Sequence, residues 1–260
     1  MNGNYAQDTA AEKSEINARP RHGGNMNIAL ILSGGTGTRL GTEIPKQYIE
    51  ICGRPVISYC LERLAAHDQI DAVQIVADKE WHELILESIE KSVSGEAVGK
   101  FRGFSEPGRN RQLSILNGLD DIMGYASAGD YVLIHDAARP LLSEQLVTEC
   151  IGAAAGNDGV IPVLPMKDTL YASRGGRYVD SLLKRDEIFA GQAPEVFVLG
   201  KYYEANRRLM PDEILKINGS TEPAVMAGMN IIMIPGEEDN FKITTKADLE
   251  RFRKIAEVYP

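Results

Sequence analysis

The chain has 260 residues, with 28 Lys and Arg against 37 Asp and Glu, a formal charge of −9. That balance argues against a nucleic-acid coat, and a composition 43% hydrophobic and 25% charged is that of an ordinary globular protein long enough for one large α/β domain. The longest strong apolar run, Ile28 to Leu32, falls far short of the roughly 18 residues a membrane helix needs, so neither a membrane nor a nucleic acid is expected as a partner.

Residues 1–25 are small and polar, with Arg19 and Arg21 but no apolar block behind them. They read as a flexible tail rather than a signal peptide, leaving a domain over 26–260. From Asn27 onward, short apolar runs alternate with longer segments of helical period, the pattern of an α/β fold with a largely parallel sheet. Strands are expected at 27–32, 72–77, 131–135, 159–164 and 230–234, all rich in Val and Ile and short enough to be buried. Helices are expected at 56–66, 80–93, 111–123, 144–155 and 246–258. Ser143 caps the fourth, and Thr245 with Asp248 forms a capping box at the last. The segment 167–188 breaks the alternation. Its turn signal Arg174-Gly175-Gly176-Arg177 precedes Tyr178-Val179, and it reads as a projecting β-hairpin arm, either mobile or seated on a partner. Cys52, Cys60 and Cys150 are odd in number, lack C-x-x-C spacing and lie in apolar surroundings. Buried, inert thiols in a reducing cytoplasm are the expectation.

Directly after the first strand comes Ser33-Gly34-Gly35-Thr36-Gly37-Thr38-Arg39-Leu40, closed by Pro45-Lys46-Gln47. Three glycines in four positions let backbone N–H groups turn toward an anion. The dinucleotide fingerprint G-x-G-x-x-G would need a third glycine where Leu40 stands, and the Walker pattern is absent, so neither a Rossmann dehydrogenase nor a P-loop ATPase is supported. Two cations, Arg39 and Lys46, follow the loop at short range. A triphosphate carries about four negative charges, and N–H dipoles plus side-chain cations neutralise it. By itself the loop also reads as a plain glycine turn with solvated cations.

Five segments occur in a telling order: the glycine loop with Pro45-Lys46-Gln47-Tyr48, then His135-Asp136-Ala137-Ala138-Arg139-Pro140, Lys167-Asp168-Thr169, Gly191-Gln192-Ala193-Pro194 and Asn240-Phe241-Lys242-Ile243-Thr244. Together they resemble the CTP-dependent polyol-phosphate cytidylyltransferases, which act on 2-C-methyl-D-erythritol 4-phosphate or ribitol 5-phosphate. The resemblance covers nearly everything from Asn27 onward. It implies a Rossmann-like, mostly parallel sheet of the GT-A-like nucleotidyltransferase kind. It also implies transfer of CMP from CTP to a polyol phosphate with release of pyrophosphate. The first-named acceptor is methylerythritol phosphate, for isoprenoid biosynthesis, and the alternative is ribitol phosphate, for cell-surface polymers.

By the same resemblance, Ser33, Gly34, Gly35, Thr36 and Gly37 hold the CTP phosphates together with Arg39 and Lys46, and Lys242 approaches the α-phosphate. Gly108, Arg109 and Ser114 face the nucleoside. Asp136 supports a magnesium ion or the polyol, with Asp239 a second carboxylate for the ion, and Arg139 contacts phosphate or polyol. Thr221 matches the polyol-contacting threonine. Thr169 and Arg185, on the arm, hold the substrate phosphate in the other subunit's site, which implies a homodimer. His135 is expected to pack rather than titrate. On the residues alone, Asp136 also reads as a helix N-cap, Lys242 as a solvated lysine and Arg185 as part of a solvated charge cluster.

The chain departs from the methylerythritol pattern at Thr221-Glu222-Pro223-Ala224 and at Gln192-Ala193-Pro194-Glu195, so the nucleotide half fits better than the acceptor half. Lys79-Glu80-Trp81 and Arg109-Asn110 look more like the ribitol branch. The chain carries no G-x-S-x-G, H-E-x-x-H or D-x-D metal motif, in keeping with a transfer that needs positioning and charge neutralisation more than acid–base chemistry. A nucleotidyltransferase of other specificity and a nucleotide-binding module without turnover are the competing readings.

Overall fold

Unbroken burial from Ile28 to Ile31, on both faces, marks Asn27–Leu32 as a central strand, and in the computed structural model of the chain this segment, β1, lies inside an eight-stranded sheet. The structure describes residues 24–35, 41, 44–93 and 95–258. The tail up to residue 23, and Thr36, Gly37 and Arg39 of the glycine loop, lie outside the described residues. After β1 the chain forms a small hairpin, β2 (Glu50–Ile51) and β3 (Arg54–Pro55), then α1 (Val56–Ala66), β4 (Ala72–Val76), α2 (His82–Ser92), β5 (Phe101–Ser105), α3 (Arg111–Ile122), β6 (Tyr131–Asp136), α4 (Glu144–Ala154) and β7 (Gly159–Pro165). The arm carries β8 (Tyr171–Ala172) and β9 (Ser181–Leu182). It is followed by β10 (Phe189–Gly191), β11 (Glu195–Val198), α5 (Leu199–Arg207), α6 (Glu222–Met226), β12 (Ile231–Pro235) and α7 (Lys246–Val258).

β1 pairs in parallel with β4 on one side and β6 on the other, and β5 extends the sheet beyond β4. Past β6 the sheet turns mixed: β11 is antiparallel to β6 and β7, β10 is antiparallel to the end of β7, and β12 runs parallel to β7. The fold is therefore α/β with a mostly parallel core. The chain runs from β1 outward to β4 and β5, then returns to β6 on β1's opposite flank. An open sheet binds its ligands outside the carboxyl ends of the strands where the order reverses in this way. Ser33 follows β1, and Asp136 ends β6 in register with Leu32, so both stand at that switch point.

Side chains alternate across β1 and bind two helical layers to it. Ala29 and Ile31 pack with Leu61 and Leu64 of α1 and Leu146 and Val147 of α4. Ile28 and Leu30 pack with Ile115 and Leu119 of α3 and Tyr202 of α5. Each such aliphatic side chain contributes about 1.5–3 kcal/mol on burial. α3 comes close to the sheet because it carries Gly118, where a Cβ would stand 2.6 Å from Leu30 Cδ1.

The expected caps form: the Ser143 hydroxyl accepts from Leu146 N–H, and Asp248 and Thr245 exchange hydrogen bonds at the start of α7. α2 begins two residues later than expected because Lys79–Trp81 wind as a 3₁₀ turn. β5 escapes sequence reading because Arg102 and Gly103, the latter at φ +131°, interrupt any strand pattern. The arm is a hairpin with Tyr171 paired to Leu182, and Tyr171, Tyr178, Val179 and Leu182 stand 59–72% exposed along it. Among the described residues no helix is long and apolar enough to cross a membrane.

One cysteine corrects the sequence reading. Cys60 and Cys150 are buried, and burial pushes both thiols up to about 12, but Cys52 is exposed. The cause is the hairpin turn, where Cys52 and Gly53 both take positive φ (52° and 76°) between Ile51 and its partner Arg54. Asn-Gly is the preferred pair for such a turn, and a left-handed conformation costs a non-glycine residue about 1 kcal/mol or more. Cys52→Asn is expected to stabilise the protein by about 0.5–1 kcal/mol, read as a higher urea midpoint.

Candidate active site

The glycine loop is anchored by the turn that follows it. Tyr48 Oη donates to the Ser33 carbonyl (2.9 Å) and accepts from Ser33 Oγ (2.8 Å), while Gln47 Nε2 donates to the carbonyls of Ser33 and Gly35, both at 2.7 Å. Trp81 stacks on Tyr48 with ring centroids 4.2 Å apart, so the tether is itself held by packing. A Cβ on Gly34 would lie 2.7 Å from Pro107, which seats the glycine loop against the segment containing Gly108 and Arg109. Two of the loops expected to hold the nucleotide are thus neighbours. Lys46 Nζ donates to the Ile243 carbonyl, which brings it beside Lys242, far away in sequence.

Asp136 is the centre of the second cluster. Arg111 reaches its Oδ1 through Nη2 (3.0 Å) and Nε (3.3 Å), Lys242 Nζ donates to Oδ2 (2.9 Å), and Arg139 Nε stands 3.7 Å from Oδ2. Burial opposes the charge on Asp136, but Arg111, Lys242 and Arg139 outweigh it and hold the carboxyl far below its ordinary value. The loop that carries Lys242 is stitched to the loop after β6: Arg139 Nη1 donates to the Asn240 carbonyl (2.6 Å) and Ile243 N–H to the Ala138 carbonyl (2.9 Å). A lysine ammonium has three donors, so Lys242 keeps two for a ligand while Asp136 fixes its position. Arg139, with 12% of its side chain exposed, ties these loops together. Arg111, which had no role in the sequence reading, is the closest partner of Asp136 among the arginines. Its signal was an Arg at the first residue of a helix otherwise facing the core.

The loop expected to read the nucleoside is held by its own polar groups. Ser114 Oγ accepts from Gly108 N–H (2.9 Å) and donates to the Asn110 carbonyl (3.0 Å), while the Asn110 side chain caps α3 by accepting from Leu113 N–H. Ser114 therefore shapes the loop from a buried position, and Arg109 is exposed beside it. His135 is fully buried, with Nε2 3.1 Å from the Arg139 carbonyl and, among the described residues, no partner for Nδ1. Burial holds its imidazole down at about 4, against 6.5 for a free side chain. An unfolded chain therefore takes a proton between pH 6.5 and 4 that the folded one refuses, and stability falls as pH drops through that window, by on the order of 3 kcal/mol. Asp136, with its depressed value, keeps its pairing until still lower pH. Thermal melts from pH 7 to 4 are expected to fall more steeply for the wild type than for His135→Gln.

On the acceptor side, Thr221 Oγ1 donates to Glu195 Oε1 (2.7 Å), and Ser220 Oγ donates to Glu195 Oε2. Pro223 sits in the first turn of α6, where a missing N–H goes unmissed, so this departure from the family pattern carries no backbone penalty. Thr169 and Arg185 are exposed on the arm. Arg185 donates to the Lys167 carbonyl (3.2 Å), and among the described residues no hydrogen bond or ion pair joins either to the Asp136 cluster.

A metal held by the protein does not fit this arrangement. Among the described residues no three His, Cys, Asp or Glu side chains gather to bind an ion. Both oxygens of Asp136 are engaged, and a dication brought to them would meet Arg111, Arg139 and Lys242. Asp239 is exposed and paired with Arg251 at 3.0 Å. In this arrangement the Asp136 carboxylate holds Arg111, Arg139 and Lys242 in place.

Residues 27–258 match the family model described as IspD: 2-C-methyl-D-erythritol 4-phosphate cytidylyltransferase. The chain is 34% identical over 228 residues to the 2-C-methyl-D-erythritol 4-phosphate cytidylyltransferase of Rubrobacter xylanophilus, covering 85% of this chain and 91% of that one. It is 28% identical over 227 residues to the ribitol-5-phosphate cytidylyltransferase of Lactiplantibacillus plantarum, covering 86% and 95%. Against bifunctional IspD/IspF relatives such as that of Granulibacter bethesdensis, the match spans 56% of the relative's length. The solved 4-diphosphocytidyl-2C-methyl-D-erythritol synthase of Anaerococcus prevotii superposes with a TM-score of 0.76 at 26% identity, covering 90% of this chain and 96% of that one. With the switch-point cation cluster and a family match over 27–258, the chain belongs to the IspD cytidylyltransferase family of nucleotidyltransferases.

Proposed function

We propose that this protein transfers CMP from CTP to 2-C-methyl-D-erythritol 4-phosphate in the cytoplasm, releasing pyrophosphate. The observation that carries the reading is the cluster of Lys242, Arg111 and Arg139 organised around Asp136, with Lys46 tied to the neighbouring Ile243 carbonyl, beside a glycine loop at the sheet's switch point. A phosphate monoester is a dianion near neutral pH, so its oxygen attacks the α-phosphorus without a general base. The protein's task is to align the two and to neutralise the charge gathering on the leaving pyrophosphate. Lys242 and Lys46 serve the phosphates, with Arg39 joining them from the glycine loop, and Ser33 to Gly37 supply backbone donors. Gly108, Arg109 and Ser114 form the wall for the nucleoside, and Thr221 meets the polyol. A divalent cation such as magnesium, brought in with CTP, would supply further charge neutralisation.

The exposed apolar side chains of the arm favour a homodimer in which Thr169 and Arg185 complete the partner's site. Sedimentation is expected to give a dimer at assay concentration, with Arg185→Ala raising the KM for the acceptor by about tenfold or more. An active monomer with wild-type kinetics on Arg185→Ala would refute this. A second reading, ribitol 5-phosphate as acceptor, is favoured by the similarity to the Lactiplantibacillus plantarum enzyme and by the altered acceptor-side segments around Glu195 and Pro223. Pyrophosphate release should be measured with CTP, UTP, GTP and ATP against methylerythritol phosphate, ribitol phosphate and glycerol phosphate. CTP with methylerythritol phosphate is expected to give the highest kcat/KM.

A further inference from the structure

Glu195 is a buried acid whose carboxylate, among the described residues, accepts hydrogen bonds from two hydroxyls and from nothing else. It opens β11, paired with Ile134 two residues before Asp136 on β6. Its Oε2 accepts from Ser220 Oγ and its Oε1 from Thr221 Oγ1 at 2.7 Å. Burial pushes the Glu195 carboxyl up, while Arg111 and the two hydroxyls favour the anion. A hydroxyl has a single proton and two lone pairs, and in both pairs the hydroxyl is the donor and a Glu195 oxygen the acceptor. Both protons are therefore spent inward on Glu195. Ser220 is 4% exposed and has no outward side, whereas Thr221 is partly exposed. What Thr221 offers outward is a lone pair alone.

We infer that Glu195 is a specificity-determining positioning residue: it fixes Thr221 as an acceptor-only hydroxyl that takes a hydrogen bond from one hydroxyl of the acceptor polyol. An amide at position 195 would behave differently. Its Nε2 would donate to one of the two hydroxyls and release that group's proton, so the pair would no longer be forced to accept. With Glu195 the site demands a hydroxyl donor from the ligand, and a deoxy position or a bare oxygen acceptor at that point leaves the Thr221 lone pair unmatched. Sites built to hydrogen-bond a substrate hydroxyl discriminate strongly against analogues that lack it. The inference rests on the proposed transfer to a polyol phosphate.

The test uses the full-length wild type, E195Q, T221V and the double variant, with CTP and either 2-C-methyl-D-erythritol 4-phosphate or its mono-deoxyfluoro analogues, in each of which one hydroxyl is replaced by a fluorine that can accept but not donate. The wild type is expected to disfavour one analogue by about tenfold or more in kcat/KM, mostly through KM. E195Q is expected to lose most of that discrimination with an unchanged KM for CTP. T221V should lose it equally, and E195Q should add nothing in the T221V background. Full discrimination in E195Q, additive effects in the double variant, or no discrimination by the wild type would overturn the inference. If E195Q does not fold, retained discrimination in T221V overturns it independently. A wild type that releases no pyrophosphate with any polyol phosphate overturns the transfer reading instead.

Discussion

Lys242→Ala is expected to lower kcat by about 10²-fold or more while leaving the folded state nearly as stable as before, because the ammonium acts on charge that develops in the transition state. The geometry separates the two effects. Lys242 has about a third of its side chain exposed, at 34%, and its removal leaves Asp136 still paired with Arg111 and close to Arg139. No buried charge is stranded, so the melting temperature should shift by no more than about 2 °C, which for a domain of this size corresponds to about 1 kcal/mol or less. Because Lys242 keeps two donors for phosphate, the loss should fall on kcat rather than on the KM for the acceptor. Steady-state pyrophosphate release with saturating CTP and a thermal melt of the same preparation test both halves. A kcat within threefold of wild type would remove Lys242 from the reaction.

Asp136→Ala is expected to do the converse first: it should cost about 3–5 kcal/mol of stability, the scale for breaking a buried ion pair by removing one partner. Here the removed carboxylate, with 11% of its side chain exposed, neutralises Arg111, Arg139 and Lys242 at once. The three cations would be left facing one another behind the glycine loop. The melting temperature should fall by on the order of 10 °C, and activity should fall with it because Lys242 loses its anchor. Raising the magnesium concentration should restore neither, since the carboxylate organises side-chain cations rather than the ion. Inorganic pyrophosphate, an anion able to occupy the vacated field, should raise the melting temperature of Asp136→Ala more than that of the wild type. Rescue of the variant by magnesium would reinstate Asp136 as a metal ligand.

The elements with a strong internal period were legible from residues alone. β1 and the helices α1 and α7 stand at their expected bounds, because their hydrophobic stripes and caps are local signals. β11 and α5 were not expected as elements: the strand opens on the charged Glu195, and the helix, Leu-Gly-Lys-Tyr-Tyr-Glu-Ala-Asn-Arg, is mostly polar and is held by Phe197–Tyr202 stacking at 4.0 Å and by contacts with α3. The site was legible in part. Lys46, Asp136 and Lys242 were singled out, yet the roles of Arg111 as counter-charge and Glu195 as partner of Thr221 depend on contacts between residues 25 to 26 positions apart, which no local pattern encodes.

What the sequence by itself determined is the α/β class, the glycine loop with its following cations and the family membership carried by ordered motifs, since each depends on spacing along one stretch of chain. Only the tertiary structure decided how the charges are shared. Asp136 is the clearest case. The sequence reading leaves it a support for magnesium or the polyol or a helix cap, and only the fold shows Arg111 from α3, Arg139 from its own loop and Lys242 from the far end of the chain converging on one buried carboxylate. The overall charge of −9 could not foretell that local field, because in a low-dielectric pocket the nearest few groups outweigh the many solvent-screened charges on the surface.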